Sequence, residues 1–246
     1  MADELTRTDE AFAGNRLLST LDSEARPLLE PFGTMVELEA GDVVLRRGDQ
    51  VEHSIFPVGQ TMISMGIELP GGRSIEVASI GREGAVGGIV SCGHAPAFSH
   101  AVVLVGGPAF RVPMKAVEQA KQDSDFIANI FCRFSDYLLA QVMQSVACNA
   151  FHPITERAAR WLLQAQDRAG SRIALTQEAF AGLLGVQRTT VNAVAQTLQN
   201  EGLITIGRGV IRVADREGLQ RRACSCYGAL DAHFGAIIGE GGTGGG

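Results

Sequence analysis

The pattern of apolar and polar positions changes texture twice along the chain. Residues 15–30, NRLLSTLDSEARPLLE, place apolar side chains at helical spacing and predict a short helix broken near Pro27. From Phe32 to about Val112 the period shortens. The runs VELEAGDVVLRRGDQ, HSIFPVGQTMISMGIELPGGRSIEVASIG and SHAVVLVGGPAFRV are β-rich and cut by Gly-Asp, Pro-Val-Gly-Gln, Pro-Gly-Gly and Gly-Gly-Pro turns. Closely spaced short strands of this kind predict an antiparallel sandwich or roll. After Pro113 the helical period returns, with a short helix in VPMKAVEQAK and a long one in DSDFIANIFCRFSDYLLAQVMQSVACNAF. Asp123, Ser124 and Asp125 suit the start of the long helix as cap or first-turn acids.

Within that helix Ile127, Phe131, Phe134, Leu138, Gln141, Ser145 and Cys148 recur at alternating spacings of four and three. Such a heptad stripe suits pairing with the same helix of a second copy, or packing on the chain's own β domain. Apolar residues off the stripe, Ile130, Tyr137 and Val142, give the helix width enough to touch both. A homodimer seam is the expectation. Pro153 ends the helix, and ITERAARWLLQAQDRAG opens another with Ala158, Trp161, Leu162 and Ala165 on one face.

The next segment, TQEAFAGLLGVQRTTVNAVAQTL, has the spacing of a helix-turn-helix. Counting from Gln177, Phe180 is fourth, the small Ala181 follows, Leu184 is eighth and Gly185 ninth, where the turn needs positive φ. Val186, Val191 and Val194 supply the second helix's apolar contacts. Two helices crossing steeply over a short turn must bury that set. LITIGRGVIRVAD then reads as a hairpin around Gly207-Arg208-Gly209. The fold class is therefore α+β: an antiparallel β-roll over 15–122, a long dimerisation helix over 123–150 and a winged helix-turn-helix over 153–222. The glycine-rich tail at 238–246 is expected to be disordered.

Composition supports a packed protein: 46% hydrophobic and 20% charged residues are enough for a sizeable core. The net charge of −6 speaks against nucleic acid until its distribution is considered. Residues 153–222 hold ten arginines against six acids, a local +4 on an acidic body. The second helix of the bihelical unit would present Gln187, Arg188, Thr189, Thr190, Asn192 and Gln196. Arg can fork onto guanine and Gln or Asn onto adenine in the major groove. Thr176, Gln177 and the helix amino termini would hold the phosphate backbone, with Arg208 at the hairpin tip reaching a flanking phosphate. The alternative is an ordinary αα-hairpin with a solvated face. The amino terminus carries no secretory pattern, and AVVLVGGPAF (101–110) is too short to cross a bilayer, so no membrane partner and a cytoplasmic location are expected. Five cysteines, an odd number, argue against a disulfide framework.

The order of roll, long helix, helix-turn-helix and wing, together with LTQEAFAGLLGVQRTTVNAVAQTLQNEGLI, resembles the CRP/FNR superfamily of bacterial transcription regulators. The resemblance runs over about residues 15–222 and in the roll rests on AGDVVLRRGD, IFPVGQTMIS and the turns. It implies a cyclic-nucleotide-binding-like roll, a homodimer with paired long helices, a two-fold site on double-stranded DNA, and contact with RNA polymerase. Arg188 falls where the family's base-reading arginine usually lies. The family's neighbouring glutamate and later arginine are here Thr189 and Ala193, so its usual half-site does not carry over.

By the same resemblance GREGAVGG (81–88) stands at the phosphate-cradling loop, making Gly81, Arg82, Glu83, Gly84, Ser99 and His100 the candidate effector pocket. No Arg or Lys follows Glu83 before Phe110, so a cyclic phosphate would lack its cation unless Arg82 substitutes. Cyclic AMP in the usual mode is not expected. Neither is an iron–sulfur cluster of the FNR kind, since the first cysteine is Cys92. Cys92-x-His94, Cys224-x-Cys226, His53, His100 and His152 lack paired CxxC spacing, and no metal or other cofactor is expected. Cys148 is the more interesting redox candidate. Two other functions compete: a ligand-binding signalling module acting through protein contacts, and a β-barrel metalloenzyme. The enzyme would need clustered ligands, but His53, His94 and His100 are isolated.

Overall fold

The protein, seen in a computed structural model, is described here over residues 2–71, 73–88 and 96–238. Helix α1 spans Ala2–Gly14 and lays Ala11 and Phe12 into the core. The helix expected over 15–30 does not form. In its place are three 3-10 turns, Leu18–Thr20, Arg26–Leu28 and Glu30–Phe32. Two causes are visible. Pro27 and Pro31 sit in the first turns and cannot donate to a longer helix. The buried Asn15 side chain accepts from the Leu17 and Leu18 amides and donates to the Pro57 and Gly84 carbonyls, bending the chain onto the roll.

The roll is two antiparallel sheets. Strands β1 (Thr34–Leu38), β7 (Gly107–Pro113) and β3 (His53–Pro57) form one, in the order β1-β7-β3. Strands β2 (Val43–Leu45), β6 (His100–Val105), β4 (Met62–Leu69) and β5 (Arg73–Ile80) form the other, in the order β2-β6-β4-β5. The apolar run at 101–110 is thus strand and turn. Helix α2 (Met114–Asp123) follows, and Ser124 caps α3 (Asp125–Phe151) by accepting from the Ile127 amide.

The stripe expected to be a dimer seam faces inward. Ile127, Phe131, Phe134, Gln141 and Cys148 are buried within the single chain, while Leu138 and Ser145 are half-buried. Phe131 meets Phe56 at 6.4 Å between ring centroids, and Ser145 Oγ donates to the Val77 carbonyl at 3.2 Å. Phe134 lies so close over Gly84 that a Cβ there would stand 2.2 Å from its ring. Large aromatics on that stripe are needed to close the roll's open side. A second stripe, Cys132, Asp136, Leu139, Met143, Val146 and Ala150, repeats at the same spacings and is exposed.

The carboxy-terminal unit builds its own core from α4 (Ile154–Ala169), β8 (Arg172–Ala174), α5 (Gln177–Leu184), α6 (Arg188–Asn200), β9 (Ile204–Gly207), β10 (Val210–Val213) and α7 (Arg216–Arg222). The wing has three strands in the order β8-β10-β9, one more than the hairpin expected. A further helix, α8 (Ala229–Ile237), turns back to the roll, where Leu230, Phe234 and Ile238 join the first core. Its Phe234 packs edge-on against Tyr137 at 5.1 Å. Ile238, first residue of the expected disordered tail, is buried; 239–246 lie outside the described residues. Among the described residues no helix is long and apolar enough to cross a membrane.

Candidate nucleic-acid interface

Helices α5 and α6 meet as their sequence requires. The Thr176 hydroxyl accepts from the Ala179 amide at 3.1 Å and starts α5. Gly185 ends it in the left-handed region at φ 68°, leaving α6 to begin three residues later. Phe180, Leu184, Val191 and Val194 are buried, Val186 half-buried, and Trp161 packs against Phe180 with ring centroids 5.3 Å apart and planes tilted at 48°.

That packing fixes what points outward. Gln187, Arg188, Thr189 and Gln196 are exposed along α6, while Thr190 and Asn192 are half-buried. The Asn192 side-chain oxygen is enclosed and has no hydrogen-bond partner within the chain. Gln196 donates to Asn200 at 2.9 Å. Arg188 lies 3.9 Å from Glu178, but the side chains are 63% and 75% exposed, so the pair binds weakly and leaves the guanidinium available. Arg208 stands exposed beside Gly209 (φ 69°) at the wing's tip. Thr176, Gln177, Arg188 and Arg208 converge on one recess of about 440 Å³ between α6 and the wing. Residues separated by up to 32 positions thus share one surface of hydroxyl, amide and guanidinium groups.

On the other side the bihelical turn leans on the roll. A cleft of about 860 Å³ is lined by Ser64, Glu76 and His100 from the roll and by Gln187 and Arg188 from the helix-turn-helix. Gly185 sits so tightly that a Cβ would come 2.8 Å from Ile75 Cδ1. Two buried polar links hold the units together. Trp161 Nε1 donates to Glu76 Oε1 at 2.7 Å, while Ser64 Oγ donates to Glu76 Oε2 at 2.6 Å. Burial pushes the Glu76 carboxyl above its ordinary range, and these two donors offset part of that. Arg168 on α4 donates through Nε and Nη2 to Glu83 Oε1, at 2.9 and 2.7 Å. Burial works against the Arg168 charge, but the Glu83 carboxylate more than compensates, holding its pKa above normal.

The candidate effector residues do not converge. Glu83 is committed to Arg168, Gly81 and Gly84 are walled by Arg168 and Phe134, and Arg82 is exposed. Arg82 and Glu83 line a cavity of about 290 Å³ with Arg16, Tyr137 and Arg168, whereas His100 lines the 860 Å³ cleft and Ser99 is half-buried. Glu83 thus turns its carboxylate to Arg168, while Arg16 and Arg82 line the same cavity. His94 and Cys92 lie outside the described residues.

One constellation was hidden by linear spacing. Cys148, His152, Cys224 and Cys226 bring their ligand atoms within 4.8 Å of one another. The signal available was Cys148-x3-His152, two ligand types one helical turn apart; its complement lies far along the chain. A hydrogen bond with Cys224 holds the Cys148 thiol below its ordinary range against the effect of burial, and pushes Cys224 up in turn.

Comparison with known proteins agrees with this geometry. Residues 156–222 match the Crp-like helix-turn-helix domain. Over 71 residues the chain is 35% identical to the HTH-type transcriptional regulator Cmr of Mycobacterium tuberculosis, a match spanning 29% of this chain and 28% of that relative. It is 23% identical over 223 residues to the CRP-like cAMP-activated global transcriptional regulator of the same organism, covering 87% and 99% of the two chains. Among solved structures, FixK2 from Bradyrhizobium japonicum superposes with a TM-score of 0.67 at 17% identity, over 78% of this chain and 98% of that one.

Proposed function

We propose that this chain, a CRP-family transcription regulator with a helix-turn-helix DNA-binding domain, works as a homodimer that reads a two-fold DNA site with α6 in the major groove. The two curated relatives it matches are named as transcriptional regulators. The observation that carries the proposal is the recess shared by Thr176, Gln177, Arg188 and Arg208 beside the exposed edge of α6. Arg188, exposed and only weakly paired, forks onto a guanine; Gln187 and Gln196 read adjoining bases, and Arg208 and Thr176 hold phosphates. Pairing falls to the exposed stripe of α3, where Leu139, Met143 and Val146 face solvent in the single chain. Covering one such side chain contributes about 1.5–3 kcal/mol, so a stripe repeated on two helices supports a stable seam. The roll receives a signal and passes it through the Glu76–Trp161 and Glu83–Arg168 links, and RNA polymerase is the downstream partner. The signal is not cyclic AMP held in the usual way; what supports this is that no Arg or Lys follows Glu83 before Phe110.

The test is selection of bound sequences from random DNA, followed by a mobility-shift assay on the selected site. Arg188→Ala should weaken specific binding by about 1–3 kcal/mol, or roughly 5- to 150-fold, while leaving the melting temperature unchanged. An Arg188→Ala protein with wild-type affinity and sequence preference would refute the assignment of α6.

A further inference from the structure

The cluster at the end of α3 plays no part in reading DNA, and its chemistry is specific. Cys148 and His152 lie one turn apart, the latter at the carboxy-terminal cap of α3 immediately before Pro153 starts α4. Cys224 and Cys226 sit in the turn between α7 and α8. The Cys148 and Cys224 sulfurs are 3.6 Å apart, and Cys226 Sγ is 3.5 Å from His152 Nδ1. Sulfurs at that distance are not bonded, since a disulfide needs about 2.05 Å. A tetrahedral zinc ion with Zn–S bonds of about 2.3 Å has S···S edges of about 3.8 Å. The two contacts match that tetrahedron, and the three cysteines are buried together as a cluster of their own.

The surroundings supply a second observation. Arg157 and Arg160 lie within the field of the thiols. Arg157 donates to the Leu184 carbonyl and Arg160 to Gln164 Oε1, but the buried Nε of each lacks a hydrogen-bond partner within the chain. A divalent ion bound by three thiolates and a neutral imidazole carries one net negative charge. That charge would add to the Glu76 carboxylate, which also lies in the field of Arg160, in balancing this partly buried positive pair. Gln144 Nε2 donates to Cys226 Sγ at 2.8 Å, an outer hydrogen bond of the kind that orients a metal ligand.

We propose that Cys148, His152, Cys224 and Cys226 bind one Zn²⁺ in a closed, four-coordinate site that clasps the hinge between the roll and the DNA-binding unit. Nitrogen and sulfur donors without carboxylate select zinc over magnesium or calcium, and four protein ligands leave no open position for catalysis. Binding releases the thiol protons to solvent. The clasp has a mechanical consequence because of where its ligands sit. His152 is the residue at which α3 gives way to α4. The 224–226 turn leads directly into α8, which is anchored in the roll core by Leu230 and Phe234. Metal therefore fixes the α3–α4 angle against a segment tied to both units, whatever sequence α6 reads.

The full-length protein, stripped of metal and kept reduced, is titrated with Co²⁺ as an optical probe and then with Zn²⁺. We expect one equivalent of Co²⁺ per chain, the intense visible bands of tetrahedral cobalt, a thiolate-to-cobalt charge-transfer band, and displacement by Zn²⁺. Cys226→Ser and the half-exposed His152→Gln should each weaken uptake by more than about tenfold, while Cys132→Ser should leave it unchanged. Amide exchange over 148–156 and 223–228 should slow by about tenfold or more on zinc binding if the metal clasps the hinge. Wild-type protein that takes up no stoichiometric cobalt, gives a weak six-coordinate spectrum, or holds a Cys148–Cys224 disulfide when prepared without oxygen would overturn the site. Exchange equal with and without zinc would overturn the clasp.

Discussion

Arg168→Ala tests whether the two units are held by the buried ion pair across their boundary. The Arg168 and Glu83 side chains are only 12% and 8% exposed, and two N–H groups converge on a single carboxylate oxygen. Deleting the arginine leaves Glu83 enclosed without a cation, a loss of about 3–5 kcal/mol for a buried pair broken on one side. The contrast is Arg222–Glu201, 3.3 Å apart but 42% and 38% exposed, where the same deletion should cost no more than about 1 kcal/mol. At roughly 2–4 °C per kcal/mol for a chain of this size, Arg168→Ala should melt about 6–20 °C below wild type. Calorimetry on wild type, both single variants and Glu83→Ala/Arg168→Ala completes a double-mutant cycle. The double variant should be more stable than Arg168→Ala, because the orphaned carboxylate is gone. A coupling below about 0.5 kcal/mol, or a single variant that melts with wild type, would refute the claim that this pair holds the loop around Glu83 to α4.

Two further outcomes follow from neighbouring contacts. Glu76 has its carboxyl pKa raised by burial, so the folded state holds its proton to higher pH than the unfolded state does, and its contribution to stability falls as pH rises above about 4.3. Glu76→Gln keeps an acceptor for Trp161 and offers a donor to Ser64, so it should be more stable than wild type at pH 7 and lose that advantage toward pH 4 in denaturant titrations. A Gln variant less stable than wild type at pH 7 would contradict this. Met143→Glu/Val146→Glu places charges on the exposed stripe of α3 and should convert a sedimenting dimer to monomer with native far-ultraviolet circular dichroism. Ile127 and Phe131, buried in the single chain, should when changed to alanine cost folding stability instead, about 2–5 kcal/mol each.

What could be read from the chain beforehand divides according to the range of the contacts involved. Phe180, Ala181, Leu184, Gly185, Val191 and Val194 lie within one stretch of fifteen residues, about three helical turns and one bend, and local geometry alone dictates their types. The helix-turn-helix and the outward set Gln187, Arg188, Thr189 and Gln196 were legible for that reason. Helix α3 was legible in extent but not in orientation. It carries two apolar stripes, Ile127-Phe131-Phe134 and Leu139-Met143-Val146, and periodicity identifies a stripe without saying which body covers it. Size offered a hint, since the stripe with the aromatics faces the roll and the one with Leu, Met and Val faces out. Asn15 defeated the expected helix over 15–30 through its bonds to Pro57 and Gly84, contacts 42 and 69 residues away that propensity cannot represent. The same reasoning applies most strongly to the cysteines. Cys148 and Cys224 stand 76 residues apart, and the linear rule that searches for CxxC pairs examines only one half of such a site at a time. A ligand pair one helical turn apart, followed much later by Cys-x-Cys, is incomplete at either end alone. Only the return of α8 to the roll, carried by Leu230, Phe234 and Ile238 at intervals of four, brings the halves together.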